Sequence, residues 1–578
     1  MILLHYISDY FTGEGINQAA IYHVRYGLRG AGIYEYMDLI VKSVLVLMLN
    51  SLVLLYIIVK IKFYPNRSHS KRKFIISYSF ILVSFVFHPA TIDAYKLYDK
   101  YSDVEASESD FSDYYRSNIV KEVPQKDRNF VFIYLEGFER TYFNEQLFPD
   151  LVVGLKKLET EGITFTNIGQ TTNAGWTIAG MVASQCGLPL FAPSSGNSMS
   201  GMDLFLPEAV CLGDLLAGEG YHLEYYGGSD LNFAGKGKFY KTHQFDKVLG
   251  LKELQPRLIN PDYVSNWGLY DDSLFDQAFD QYLELSRRGE KFGLFLLTLD
   301  THHPDGHPSA SCADLVYQDG ANPILNAVSC ADRLASRFVE RIRKSNYSDN
   351  TVIVIVSDHL ALRNSASARL ENGERKNLFF VLDPAQREEK RVDKQGTTLD
   401  IASTLLPFLG YRGEIGLGRD LLSDAISLEE HLDDLDSQLL GWRPLIEEFW
   451  AFPSIEQGVT INAGEGVLVI DNRRFGIPAL IRLNSRLETE IMFEFNASPG
   501  HKNLYELFKD FDSISPFLWV DKCKRISTVS SVKIDNGTCL AIGRLDATSD
   551  RKRINGKIFP VAQDVTINKN EIKEILFN

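Results

Sequence analysis

Four short stretches of this 578-residue sequence hold residues whose types and spacing could do chemistry. The apolar run NFVFIYL ends on Glu136, FGLFLLTLD runs into Thr301, His302 and His303, and TVIVIVS runs into Asp358 and His359. Glu136, Asp358 and His359 together offer two oxygen donors and one nitrogen, a set that suits Mn²⁺ or Zn²⁺. The fourth stretch is NAGWTIAGMVASQCGLPL, where a glycine-containing turn leads to Thr177 at the start of a helical pattern. A threonine hydroxyl is a weak nucleophile at neutral pH, but a divalent cation lowers its pKa and a helix N-terminus offers N–H donors to a phosphoryl oxygen. Each feature alone has a plainer explanation: an acid after a strand caps a helix, an Asp-His pair holds a loop, and Thr177 is an N-cap. Their recurrence at successive strand ends favours a metal site.

Those residues need a scaffold that gathers strand ends. Strands are expected at NFVFIYL, ITFTNI, HLEYYGG, FGLFLLTLD, TVIVIVSD and NLFFVLD, and helices at 150–161, 177–186, 272–287, 322–345 and 399–408. Near-continuous apolar strands alternating with helices indicate an α/β fold, with a mainly parallel sheet sandwiched by helices. In such sheets ligands collect beyond the carboxyl ends of the strands. After about residue 425 short strands and turn signals dominate, so a smaller β-rich region is expected over 426–578.

Upstream, two apolar segments are long enough to cross a bilayer, one from about Met37 to Val59 and one from Phe74 to about Thr91. Between them lie Lys60, Lys62, Arg67, Lys71, Arg72 and Lys73 without an acid, which marks a cytoplasmic loop. The expected organisation is an extracytoplasmic segment at 1–36, a transmembrane hairpin at 37–95, a juxtamembrane connector at 96–128 and a catalytic domain at 129–425. Residues 1–36 would then need export without a span of their own, so further spans are expected upstream. The net charge of −15 leaves no basic excess for a nucleic-acid backbone.

Six cysteines, Cys186, Cys211, Cys312, Cys330, Cys523 and Cys539, all follow the apolar part, and none forms a CxxC pair. An even number outside the cytoplasm fits disulfides, with Cys186 to Cys211, Cys312 to Cys330 and Cys523 to Cys539 nearest in sequence; six buried thiols are the alternative.

The stretches SDYFTGEGIN, LEGFERTYF, TIAGMVASQCGLPLFAP, NWGLYDD, TLDTHHPDG and VSDHLA make the chain resemble the sulfatase-like phosphoglycerol transferases that decorate osmoregulated periplasmic glucans. The resemblance implies an alkaline phosphatase-like fold in a bacterial inner-membrane protein with its catalytic domain in the periplasm. It further implies Mn²⁺, with Zn²⁺ or Mg²⁺ as alternatives, held by Glu136, Thr177, Asp358 and His359. Thr177 would be the nucleophile, phosphatidylglycerol the donor and a periplasmic glucan the acceptor. His302 matches a histidine that contacts substrate phosphate, and Lys236 in NFAGKGKF falls where a related branch uses an arginine for substrate. Ala234 replaces the tryptophan that accompanies that arginine, and His303 is a further substrate-side candidate. The membrane part is about two spans shorter than in the family, and the C-terminal region is shorter than in its longest members. No C/S-x-P-x-R motif is present, so formylglycine-dependent sulfatase chemistry is set aside. A phosphoethanolamine transferase and an inactive membrane-anchored glycan-binding protein are the rival readings.

Overall fold

The computed structural model describes residues 2–12, 15–26, 87–102, 108–121, 128–191, 204–386 and 388–450, most of 455–577 with short interruptions, and scattered positions between 37 and 56. It divides into two compact units, Met1–Ala192 with Val210–Ile446, and Pro193–Ala209 with Glu447–Asn578.

The first unit is built on an eight-stranded sheet. Its strands in chain order are β1 (Asn129–Leu135), β2 (Ile163–Phe165), β3 (His222–Gly227), β4 (Lys247–Leu249), β5 (Phe292–Leu297), β6 (Thr351–Ser357), β7 (Phe379–Leu382) and β8 (Lys390–Val392). Across the sheet the order is β8-β2-β7-β6-β1-β5-β3-β4. All pairings are parallel except those of β7 with β2 and β6. The sheet is therefore mainly parallel, as the sequence predicts, with β7 as its one antiparallel strand. Strand direction leaves no mark on side-chain pattern when both faces are buried. Sequence reasoning also missed β4 and β8, whose three residues are too short to show a period.

Every residue of β1 and β6 is buried, as their unbroken β-branched and aromatic runs require. Val131, Ile133 and Leu135 join Leu294, Leu296, Ile353 and Ile355 in one core. On the opposite face Phe132 stacks on Phe295 with centroids 5.1 Å apart. There Tyr134 meets the helix Thr177–Cys186, its hydroxyl 2.6 Å from Ser184 Oγ. Truncating one such core leucine to alanine would cost about 2–5 kcal/mol, which is why this scaffold holds the strand ends firmly.

The longest described helix, Pro323–Arg343, starts at Asn322, whose side chain accepts from Leu325 N at 3.2 Å, with proline in the first turn. Its Asp332 points inward and accepts from Val153, Gly154 and Leu155 N–H at 3.0, 2.8 and 2.7 Å. The helix Gly154–Glu159 has no capping side chain of its own, so Asp332 supplies that cap from another element. Burial pushes the Asp332 carboxyl up, and the three amide donors oppose it.

All six cysteines are paired, as Cys186–Cys211, Cys312–Cys330 and Cys523–Cys539. The second unit carries two antiparallel sheets, a four-stranded one that includes Val459–Asn462 and a five-stranded one centred on Phe517–Lys522. Trp519, Phe508, Phe511 and Phe517 fill its core beside the Cys523–Cys539 bridge. Among the described residues no helix is long and apolar enough to cross a membrane. The second expected span lies outside the described residues up to residue 86, and the first is described only in part.

Candidate active site

The strand order places β1 between β5 and β6, so the segments that follow these three strands meet at one edge. Glu136 follows β1 and is anchored through its backbone: its N–H donates to Thr298 Oγ1 at 3.0 Å, and its carbonyl accepts from the Thr301 hydroxyl. Asp358 follows β6, and its Oδ1 accepts from the N–H groups of Gly137 and His359 at 2.8 and 2.9 Å. Its Oδ2 is buried without a hydrogen-bond partner. His359 donates from Nδ1 to the Leu360 carbonyl at 2.7 Å, which turns Nε2 toward the two carboxylates. That Nε2 is likewise buried and lies 3.3 Å from both Glu136 Oε1 and Asp358 Oδ2.

Thr177 reaches the same point from the other side. Trp176 is the extended N-cap residue and Thr177 the first helical residue, so its hydroxyl is not spent on capping. It donates instead to Glu136 Oε2 at 3.3 Å. Gly180, one turn on, lies against the Asp358 carbonyl so closely that any Cβ would collide with that oxygen. Helix and strand end are thereby held together.

The electrostatics are those of a ligand set awaiting a positive charge. Burial opposes ionisation of Glu136, but the close approach and charge of His359, and then the charge of His302, outweigh it and hold the carboxyl well below its usual range. Burial and the neighbouring Glu136 push Asp358 up, while His359, despite burial, is lifted to about 9 by Asp358 and Glu136. Ligand atoms of Glu136, Asp358 and His359 all lie within 4.8 Å of one another. Two unpartnered buried donor atoms in a set of two carboxylates, an imidazole and a hydroxyl fit a divalent cation.

Residues 1–108 match the family model described as phosphoglycerol transferase I, N-terminal domain, residues 128–411 match sulfatase, and residues 457–576 match phosphoglycerol transferase I, middle domain. Phosphoglycerol transferase I of Escherichia fergusonii is 36% identical over 550 residues, covering 93% of this chain and 70% of its own length. The chain belongs to the phosphoglycerol transferase I family. The Shigella flexneri relative is also 36% identical, with the same coverage. Among solved structures, the lipoteichoic acid synthase LtaP from Listeria monocytogenes is similar at 17% identity, covering 62% of this chain and 97% of that one, with a TM-score of 0.44. As a phosphoglycerol transferase I relative with a sulfatase-type α/β domain, the chain is a glycerophosphotransferase enzyme.

Within this family member, Thr177 opens onto a cleft of about 1320 Å³, lined also by Glu136, Trp176, Trp267, His302 and His303. The His302 ring lies 4.0 Å from Trp267, and its Nδ1 is 2.9 Å from the His303 carbonyl, which fixes its orientation. Burial pushes His303 well below the usual histidine range, so it is a neutral ring. Lys236 is 2% exposed, with Nζ 4.9 Å from the Phe233 centroid. Burial lowers its pKa to about 8, against the pull of Glu136, Asp358 and Asp230.

Sequence reasoning missed the aromatic lining. Trp176 adjoins Thr177, and Trp267 sits in the NWGLYDD stretch, so both were within reach of a closer look at the motifs. Gln170, whose Oε1 accepts from Leu360 N at 2.7 Å, and His23 had no local signal, because only the fold brings them here.

Proposed function

We propose that the chain takes phosphoglycerol from phosphatidylglycerol onto Thr177 and passes it to a periplasmic glucan. One observation carries this: the Thr177 hydroxyl faces Glu136 at 3.3 Å, at the point where Asp358 and His359 leave donor atoms unpaired. A divalent cation, proposed to be Mn²⁺ with Zn²⁺ or Mg²⁺ as alternatives, would be held by Glu136, Thr177, Asp358 and His359, lowering the hydroxyl pKa and neutralising phosphoryl charge.

In the first half-reaction the Thr177 oxygen forms a bond to phosphorus as the bond to the diacylglycerol oxygen breaks. The hydroxyl proton, which Thr177 now shares with Glu136 Oε2, is released to water in the open cleft, and the departing oxygen takes a proton from His302. Backbone N–H groups at the start of the Thr177–Cys186 helix face the anionic phosphoryl oxygens. In the second half a glucan hydroxyl gives its proton to His302 and bonds to phosphorus while the Thr177–phosphorus bond breaks, and the threonine oxygen takes a proton from water. Trp267 and His303 hold His302 in place, and Lys236 supplies positive charge beside the headgroup.

The proposal includes an inner-membrane anchor over 37–95 and a connector over 96–128, with catalysis over 129–425 on the periplasmic side. Exposed apolar side chains at Met37, Val41, Val44, Leu45, Met48, Leu52 and Leu55 support the anchor, and three disulfides support an oxidising compartment. The β-rich region 426–578 is proposed as a separate accessory region. Purified protein given headgroup-labelled phosphatidylglycerol, Mn²⁺ and a β-glucan or the model acceptor arbutin should place labelled phosphoglycerol on the sugar. Labelling only from phosphatidylethanolamine would replace the donor, and labelling from neither lipid would overturn the proposal.

A further inference from the structure

The N-terminal segment reaches into the cleft. Its helix Gln18–Tyr26 is fastened by Tyr22, 1% exposed, whose hydroxyl donates to the Ala234 carbonyl at 2.9 Å. The Tyr22 ring also lies 5.7 Å from that of Trp176, beside the nucleophile candidate. One residue further, His23 stacks flat on Phe233, centroids 5.3 Å apart and planes 7° apart. His23 lines the same cleft as Thr177, Trp267, His302 and His303. Its Nδ1 is buried and, among the described residues, has no hydrogen-bond partner.

An unpartnered buried ring nitrogen at a cleft wall is costly unless a ligand fills it. Burial, and then the charge of Lys236, hold His23 down to about 4, so near neutrality it is an uncharged ring that can exchange a hydrogen bond with a hydroxyl. Lys236 lies on the same aromatic ring, with Nζ 4.9 Å from the Phe233 centroid. The pocket wall thus pairs an uncharged hydrogen-bonding group with a cation. That combination accepts a polyol next to a phosphate, and the Lys236 charge on the same wall disfavours an ammonium there.

We propose that His23 is a specificity-determining residue that binds a hydroxyl of the glycerol headgroup, so that the N-terminal segment completes the donor site and selects glycerol over ethanolamine. This rests on phosphatidylglycerol being the donor, as proposed above. It places a substrate contact outside the sulfatase-type domain, in the N-terminal segment that precedes the proposed membrane anchor.

The test uses the full chain in mixed micelles with phosphatidylglycerol or phosphatidylethanolamine, and compares wild type with His23→Phe and His23→Asn. Phenylalanine keeps the ring stack but removes the nitrogen, whereas asparagine keeps a hydrogen-bonding atom near the Nδ1 position. His23→Phe should raise KM for phosphatidylglycerol about tenfold, with a smaller change in kcat, and shrink the preference over phosphatidylethanolamine by a similar factor. His23→Asn should recover most of both. Binding of sn-glycerol 1-phosphate, followed by calorimetry, should weaken about tenfold in His23→Phe while Mn²⁺ affinity and Tm stay unchanged. An active wild type with His23→Phe unaltered in KM, preference and glycerophosphate binding overturns this inference alone. So does equal impairment of the two variants. If either variant loses its folded Tm, the glycerophosphate affinity and headgroup preference of the other against wild type decide the matter. A wild type that transfers nothing from phosphatidylglycerol overturns the donor reading, and this inference falls with it.

Discussion

The helix Thr177–Cys186 has a three-residue group of metal-ligating types near each end, and the two differ in what their atoms have left to bond. At the C-terminal end, Cys186, Cys211 and His243 lie within ligand distance of one another. There the two sulfurs are joined to each other, and His243 sits with Nδ1 2.7 Å from Asp214 Oδ2 and Nε2 3.6 Å from Cys211 Sγ. At the N-terminal end, Asp358 Oδ2 and His359 Nε2 are buried with no hydrogen-bond partner. The types and spacings are comparable, yet one group has no vacant donor and the other has two. Unspent bonding capacity, more than the mere proximity of ligand residues, separates a structural cluster from a reactive one.

The comparison can be broken most decisively at Thr177. Thr177→Ala should lower phosphoglycerol transfer by about four orders of magnitude or more while Mn²⁺ binding largely persists, and retained turnover would rule out a threonine nucleophile. A smaller but still large loss, about a hundredfold to a thousandfold, is expected for Asp358→Asn. In wild type, chelation should also lower the Tm, and added Mn²⁺ should restore it; in Asp358→Asn both shifts should shrink. If the Tm of wild type ignores chelators, the N-terminal cluster is not a cation site.

The opposite end should behave as a staple. Replacing both Cys186 and Cys211 by serine, across a sequence separation of 25 residues, should cost about 3 kcal/mol in urea unfolding and leave Mn²⁺ affinity unchanged. Loss of Mn²⁺ binding in that variant would show that the two ends are not independent.

The smallest expected effect concerns another buried oxygen without a hydrogen-bond partner, Asp271 Oδ2. Asp271 Oδ1 accepts from Leu299 N at 2.6 Å, and Asp300 accepts from Ser309 and from Asp271 N, beneath the loop that carries His302. Burial, reinforced by Asp300, pushes Asp271 up, and burial lifts Asp300 to about 7. These acids hold protons in the folded state that the unfolded chain releases near pH 4, so their contribution to stability falls as pH rises from about 4 to about 7. Asp271→Asn keeps an acceptor for Leu299 and removes one of those protons. Its urea midpoint relative to wild type should therefore rise between pH 5 and pH 8, by an amount equivalent to about 1–2 kcal/mol. A pH-independent difference would mean that Asp271 is ionised in the folded protein.

Much of this was already written in local sequence. The runs at β1, β5 and β6 announced buried strands, the residues just beyond them announced Glu136, His302, Asp358 and His359, and the cysteines paired with their neighbours in the chain. Periodicity and composition are properties of a few consecutive residues, so sequence alone carries them. What only the tertiary structure decided is long-range. The order that sets β1 between β5 and β6 brings three strand ends to one edge, and β7 turns antiparallel without any change of side-chain pattern. His23 meets Phe233, 210 positions away in the sequence, and Asp332 caps a helix about 178 residues before it. Nor could residue types reveal which donor atoms stay unpaired, because a hydrogen bond is spent or spared by whatever the fold places beside it.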